Sequence, residues 1–197
     1  YITGNAPFFD FELHVTPAVL IPRPETEQLV ETAVAYARQH NAQTAVDVGT
    51  GSGCMAIALA RFLPDLQVTA VDISPAALAI AQQNARQLAP GRIQFQQSDL
   101  LQTIARPVNM IVANLPYVTS GEWQSLADGV KLHEPALALD GGEDGLELIR
   151  RLLEQAATRL RPNGAIFLEI GWQQGPSAQA EAQRYFPQAS VTILPDY

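Results

Sequence analysis

The stretch that most constrains the fold is AVDVGTGSGCMAIALA, residues 45–60. Residues 45–48 are a short apolar run broken only by Asp47, and Gly49, Gly51 and Gly53 punctuate a turn. From Cys54 onward small apolar residues recur at helical spacing through Ile57, Ala58 and Ala60. That order predicts a buried strand running through a glycine turn into a helix, the opening unit of a doubly wound parallel sheet. Glycine has no Cβ, so it takes positive φ and lets the backbone approach a ligand closely. A helix that begins near Gly53 also aims unpaired N–H groups at whatever rests on the turn. Asp72 ends the next apolar run, VTAVD, 19 residues after Gly53. A carboxylate at that strand end is placed to accept two hydrogen bonds from a ribose diol, which makes the turn a candidate nucleoside cradle.

The dinucleotide fingerprint G-x-G-x-x-G requires glycine where Cys54 stands. The spacing here is G-x-G-x-G, which resembles the S-adenosylmethionine turn of Rossmann-like methyltransferases and argues against NAD. Asp47, two residues before the turn, fits the same resemblance.

Strand and helix patterns alternate on both sides of this unit, so the expected fold class is α/β, a mostly parallel doubly wound sheet. The opening YITGNAPFFDFELHV suggests a β-hairpin with Phe9, Phe11, Leu13 and Val15 on one face. A connecting helix starts at Pro24, with Glu25 and Glu27 complementing its dipole and Val30, Ala33, Val34 and Ala37 forming an apolar stripe. The preceding LIPRP is left as a loop at the sheet's mouth, where Arg23 is the residue of interest. Further strands are expected at QVTAVD, RIQFQ, VNMIVA and AIFLEIG, with SVTIL as a last one. Helices are expected over 75–88, capped by Ser74, over 144–160, stopped by Arg161-Pro162-Asn163-Gly164, and over 177–185.

Composition narrows the function classes. The 197 residues suffice for one domain with a sizeable core. No stretch approaches the roughly 18 apolar residues of a membrane span, and no basic region followed by an apolar one opens the chain. A lone cysteine, Cys54, excludes an internal disulfide and suits a reducing cytoplasm. The net charge of −8, with Lys131 alone beside eleven arginines, disfavours nucleic acid and favours a protein or small-molecule substrate. His14, His40 and His133 match no zinc spacing, so no metal is expected.

The chemistry is expected where the fourth strand delivers Asn114, Leu115, Pro116 and Tyr117, because ligands in open α/β sheets bind beyond the carboxyl ends of the strands at the switch point. Asn114 offers an amide oxygen, Pro116 stiffens the loop so that the Leu115 carbonyl can point inward, and Tyr117 offers a flat face. Together they can hold a planar NH₂ by both hydrogens. Asp99 and Leu100 follow the third strand, where a carboxylate can meet an adenine amino group and an apolar side chain can cover the ring; Asp99 as a plain turn cap is the alternative.

Over nearly its whole length the chain resembles the release-factor glutamine N5-methyltransferases, the PrmC/HemK family. The motifs that carry the resemblance are YITG, LIPRPETE at 20–27, VDVGTGSG at 46–53, AVDIS at 70–74, EPALAL with GGEDGL between 134 and 146, and LEIG with QQG at 168–175. The resemblance implies an S-adenosyl-L-methionine-dependent enzyme that methylates the glutamine of the GGQ motif in peptide chain release factors. It implies that Gly49, Thr50, Gly51, Ser52, Gly53, Asp72 and Leu100 hold the donor, with Asp99 and Asn114 beside it. It further implies that Asn114, Leu115, Pro116 and Tyr117 hold the glutamine amide. Leu115 stands where the family has proline, as in some rRNA adenine dimethyltransferases. Two domains follow: 1–40, a hairpin and connecting helix left from the link to a missing N-terminal domain, and 41–197, a methyltransferase domain lacking its last strand. The expected enzyme is a cytoplasmic monomer with no membrane contact. Amino methylation of adenine in RNA, and an inactive donor-binding interaction module, stay open as alternatives.

Overall fold

The structure is a computed structural model that describes residues 4–125 and 135–195. Tyr1, Ile2 and Thr3 of the opening motif, Lys131, His133, Glu134, Asp196 and Tyr197 lie outside these residues. Strands β1 (Asn5–Phe8) and β2 (Phe11–His14) pair antiparallel as a hairpin. Helix α1 (Pro24–His40) leads into β3 (Thr44–Val48), α2 (Cys54–Phe62), β4 (Gln67–Asp72), α3 (Pro75–Leu88), β5 (Ile93–Gln97) and β6 (Val108–Ala113). There follow α4 (Ser120–Ser125), α5 (Glu147–Ala156), β7 (Leu160–Leu168) and α6 (Gly175–Tyr185). Strands β3 to β7 form a parallel sheet in the order β5-β4-β3-β6-β7.

Alternation along the central strands sends their side chains to two apolar layers. Ala45, Val68, Met110 and Val112 pack with α1, α2 and the hairpin on one face. Val46, Val48, Val71, Ile111 and Ala113 pack with Leu152 and Leu153 of α5 on the other. Burial on both faces explains why β3, β4 and β6 read as continuous apolar runs. Helix α3 starts where Ser74 Oγ accepts from Ala77 N at 3.2 Å and Pro75 sets φ for the first turn. It occupies the expected 75–88.

Four expectations need correction. In the hairpin Phe9 is not on the buried face. It takes φ 51° in the turn, and Phe8 joins Phe11, Leu13 and Val15 in the interior instead. Phe9 is held there because its N–H donates to Glu27 Oε1 at 2.7 Å and its ring stands edge-to-face on Phe62 at 5.0 Å. The helix expected over 144–160 is shorter, because Asp144 Oδ1 accepts from Leu146 N at 3.1 Å and turns the chain before the helix begins. Its stop signal does not end it: the helix stops at Ala156, and Arg161, Pro162, Asn163 and Gly164 lie within β7. There they form a bulge, since Val108 pairs with Leu160 but Met110 with Ala165. Lastly, SVTIL forms no strand; it finds no ladder among the described residues, and Ile193 and Leu194 stay exposed. A pleated pattern becomes a strand only where a neighbour supplies backbone partners. Among the described residues no helix is long and apolar enough to cross a membrane.

Candidate active site

The sheet reverses its winding between β3 and β6, and the register fixes what meets there. Val48 pairs with Ala113, so the next residues, Gly49 and Asn114, leave the sheet side by side. Ala113 also pairs with Leu168, and Glu169 N donates to Ala113 O at 3.1 Å. Asn114 therefore emerges between the glycine turn and Glu169, at the crevice where open α/β sheets bind ligands.

The glycine turn is held from below. Gly49 N and Thr50 N donate to Val71 O at 2.9 and 3.0 Å, and Gly53 N to Thr50 O at 2.8 Å. Gly49, Gly51 and Gly53 take φ of 71°, 54° and 86°, a region that costs a side chain dearly. At Gly53 a Cβ would also stand 3.2 Å from that of Ala81. Asp47 is fully buried; its Oδ2 accepts from Thr50 Oγ1 at 2.7 Å and from Ala56 N at 3.0 Å, which ties the turn to α2. Burial pushes the Asp47 carboxyl up to about 7, and its Oδ1 has no hydrogen-bond partner among the described residues. The Thr50 hydroxyl thus faces the protein and leaves backbone to face the crevice. Burial likewise holds the Cys54 thiol up at about 12, so it stays protonated.

Asp72 braces the same turn from β4. Its Oδ2 accepts from Gly51 N at 3.0 Å and its Oδ1 from Ser74 N at 2.9 Å. Burial raises its pKa above the ordinary carboxylate value. Asn84 is a brace that sequence reasoning missed. Buried on α3, it donates from Nδ2 to Ser52 O at 2.9 Å and exchanges hydrogen bonds with the backbone of His14, joining turn to hairpin. Its signal was an amide on the apolar stripe of Ala77, Leu78, Ala81 and Ala85.

Asp99 and Leu100 follow β5. Asp99 Oδ2 accepts from Arg151 Nη2 of α5 at 2.6 Å and from Gln102 Nε2 at 3.2 Å. Leu100, at φ 53°, is buried with Val71 and Leu101.

In the loop after β6, Leu115 is buried, and a Cβ on Gly49 would stand 3.1 Å from its Cδ2. The leucine is thus anchored through its side chain directly beneath the glycine turn. Two distant segments hold the rest of this loop. Gly141 packs so closely that a Cβ there would lie 2.8 Å from Tyr117 Cα, and Gly141 N donates to Val118 O at 2.8 Å. Gln174 Nε2 donates to Tyr117 O at 2.8 Å, while its Oε1 accepts from Gly171 N at 2.8 Å. The GGEDGL and QQG motifs are therefore the backing of the Asn114–Tyr117 loop.

One further cluster completes the crevice. Thr26, buried in the first turn of α1, donates from Oγ1 to Glu169 Oε2 at 2.6 Å and accepts from Asn114 Nδ2 at 3.1 Å. Tyr117 OH donates to Glu169 Oε1 at 3.2 Å. Burial, then the Glu169 charge, raise the Tyr117 phenol to about 12, so it is a neutral donor near pH 7. Neither Thr26 nor Glu169 was singled out by sequence, because they lie 143 residues apart.

A parallel sheet in this order, with a glycine turn after its first strand and an Asn-Leu-Pro-Tyr loop beside it, defines a Rossmann-like methyltransferase. Residues 26–131 match the family model described as methyltransferase small domain. The ribosomal protein L11 methylase of Lactobacillus delbrueckii shares the fold, with a TM-score of 0.63 and 23% identity over 86% of this chain and 72% of that one. The chain is 43% identical, over its whole length, to 70% of the release factor glutamine methyltransferase of Moorella thermoacetica. It is 47% identical, over 87% of its length, to 62% of the protein of that name from Koribacter versatilis. The chain belongs to the release factor glutamine methyltransferase family. Its matches span 70% and 62% of the length of these two relatives.

Proposed function

We propose that this chain is the catalytic part of an S-adenosyl-L-methionine-dependent enzyme that methylates the side-chain amide nitrogen of the GGQ glutamine in peptide chain release factors, working as a cytoplasmic monomer. The observation that carries the reading is the side-by-side exit of Gly49 and Asn114 from the paired residues Val48 and Ala113. S-adenosyl-L-methionine supplies a methyl group on a sulfonium that leaves as a neutral thioether. The residues present suit such a ligand. Three left-handed glycines keep the cradle free of side chains. Asp72 takes backbone hydrogen bonds from Gly51, Ser74 and Ile73, and a carboxylate offers about four acceptor sites, so capacity remains for a ribose hydroxyl. Gly49, Thr50, Gly51, Ser52, Gly53 and Asp72 would hold it, with Asp99, Leu100 and Asn114 beside it.

For the substrate, Asn114 Oδ1 and the Leu115 carbonyl accept the two amide hydrogens, and the Tyr117 ring covers the amide plane. An amide nitrogen is a poor nucleophile because its lone pair is conjugated. As positive charge grows on it during attack, hydrogen bonds from its N–H groups to two fixed acceptors strengthen, which stabilises the transition state more than the ground state. No base need act first; the surplus proton leaves after the N–C bond forms. Incubation with labelled S-adenosyl-L-methionine and either a release factor or ribosomal RNA tests the reading. Label on the release factor glutamine is expected. Label on RNA alone would identify an adenine methyltransferase, and donor binding without transfer an interaction module.

A further inference from the structure

We infer that Glu169, acting both directly and through Thr26, is a positioning residue that fixes which end of the Asn114 side-chain amide faces the substrate. The inference rests on the reading of Asn114 as the group that grips the substrate amide. It follows from the direction of the hydrogen bonds. An ionised carboxylate only accepts. Glu169 Oε2 therefore takes the single hydroxyl hydrogen of Thr26, at 2.6 Å, and Thr26 Oγ1 has only its acceptor face left for Asn114. Asn114 must then present its NH₂ end, which it does at 3.1 Å, and it hydrogen-bonds Glu169 as well. The oxygen end is left for the substrate, where the chemistry needs an acceptor. Tyr117 fills the other carboxylate oxygen, so Glu169 orders both polar side chains of the acceptor loop.

A neutral group at this position loses that direction. The NH₂ of a glutamine can donate to Thr26, the hydroxyl then donates to Asn114 Oδ1, and the amide turns its own hydrogens toward those of the substrate. Protonation of Glu169 has the same consequence. Burial raises its pKa above the ordinary glutamate value, against the hydrogen bonds from Thr26, Tyr117 and Asn114 that lower it. The charged and titratable groups facing it are Glu25 from α1, Tyr117 from the loop and Cys54 from α2, with Arg23 acting on Tyr117.

The test has two readouts. The Asn114 side-chain NH₂ resonances of the chain without substrate are followed by NMR from neutral to acid pH in the wild type, Glu169→Gln and, as a control for its charged neighbour, Glu25→Gln. They should shift with one acid titration in the wild type and in Glu25→Gln. In Glu169→Gln they should already be displaced and stay flat. Independently, Glu169→Gln and Thr26→Val should lower kcat about 10- to 100-fold with donor affinity retained, and Thr26→Ser should restore the rate. Identical Asn114 resonances in wild type and Glu169→Gln, or full kcat in that variant, would overturn the inference. A wild type that transfers no methyl to a release factor sinks the substrate reading instead, and the resonances still decide the positioning role.

Discussion

Asp72 holds the Gly51 and Ser74 N–H groups with the same carboxylate that is proposed to meet the donor's ribose. Asp72→Ala should weaken donor binding by about 1–3 kcal/mol, the usual cost of leaving hydrogen-bonding groups unpaired, with kcat at saturating donor much less affected; calorimetry beside steady-state kinetics checks the split. Asn114→Ala should do the reverse, leaving calorimetric donor affinity intact and removing most transfer. Asp47 makes a pH-dependent contribution. Its folded pKa of about 7 lies above the ordinary 3.8. Folding therefore takes up a proton between those values, and the stability contributed by Asp47 is highest below the lower one and falls as pH rises to the upper. In urea melts at about pH 5 and about pH 7.5, the difference between wild type and Asp47→Asn should move against the wild type at the higher pH. A difference that does not change with pH would contradict this account of Asp47.

At the scale of elements, the acceptor loop owes its shape to segments that do no chemistry. Gly141→Ala places a Cβ 2.8 Å from Tyr117 Cα and from Gly145 O, so the loop must shift. Transfer should fall about 10- to 100-fold while donor binding, proposed to use the glycine turn across the crevice, is unchanged by titration. This division marks how far the sequence was readable. The places of the glycine turn, Asp72 and the Asn114–Tyr117 loop at strand ends were legible because each sits next to a continuous apolar run, and burial on both faces makes such runs unambiguous. Helix α3 was legible because Ser74 and Pro75 supply a cap with a mechanism. The rest depended on contacts between distant segments. Thr26 and Glu169 meet only because α1 packs beside the end of β7, and the GGEDGL stretch shows its purpose only against the backbone of Tyr117. The stop signal at Arg161–Gly164 was misread because a helix stop and a bulge use the same Pro, Asn and Gly, and only the pairing of β6 with β7 separates them. Phe9 misled for a similar reason: a one-residue shift in the turn moves an aromatic off the buried face.

For the whole molecule, two apolar layers serve to hold one line of strand ends in register. Val48, Ala113 and Leu168 stand side by side across three strands, so Gly49, Asn114 and Glu169 follow as a row. The central claim is that a donor lying on the first member of that row is attacked by a nitrogen held at the second. The most direct measurement is a crystal structure of the chain with S-adenosylhomocysteine bound. The account predicts a ribose on Asp72, and a sulfur that opens toward the Asn114 amide and the Leu115 carbonyl. A product bound on the glycine turn with its sulfur directed away from Asn114 would contradict it.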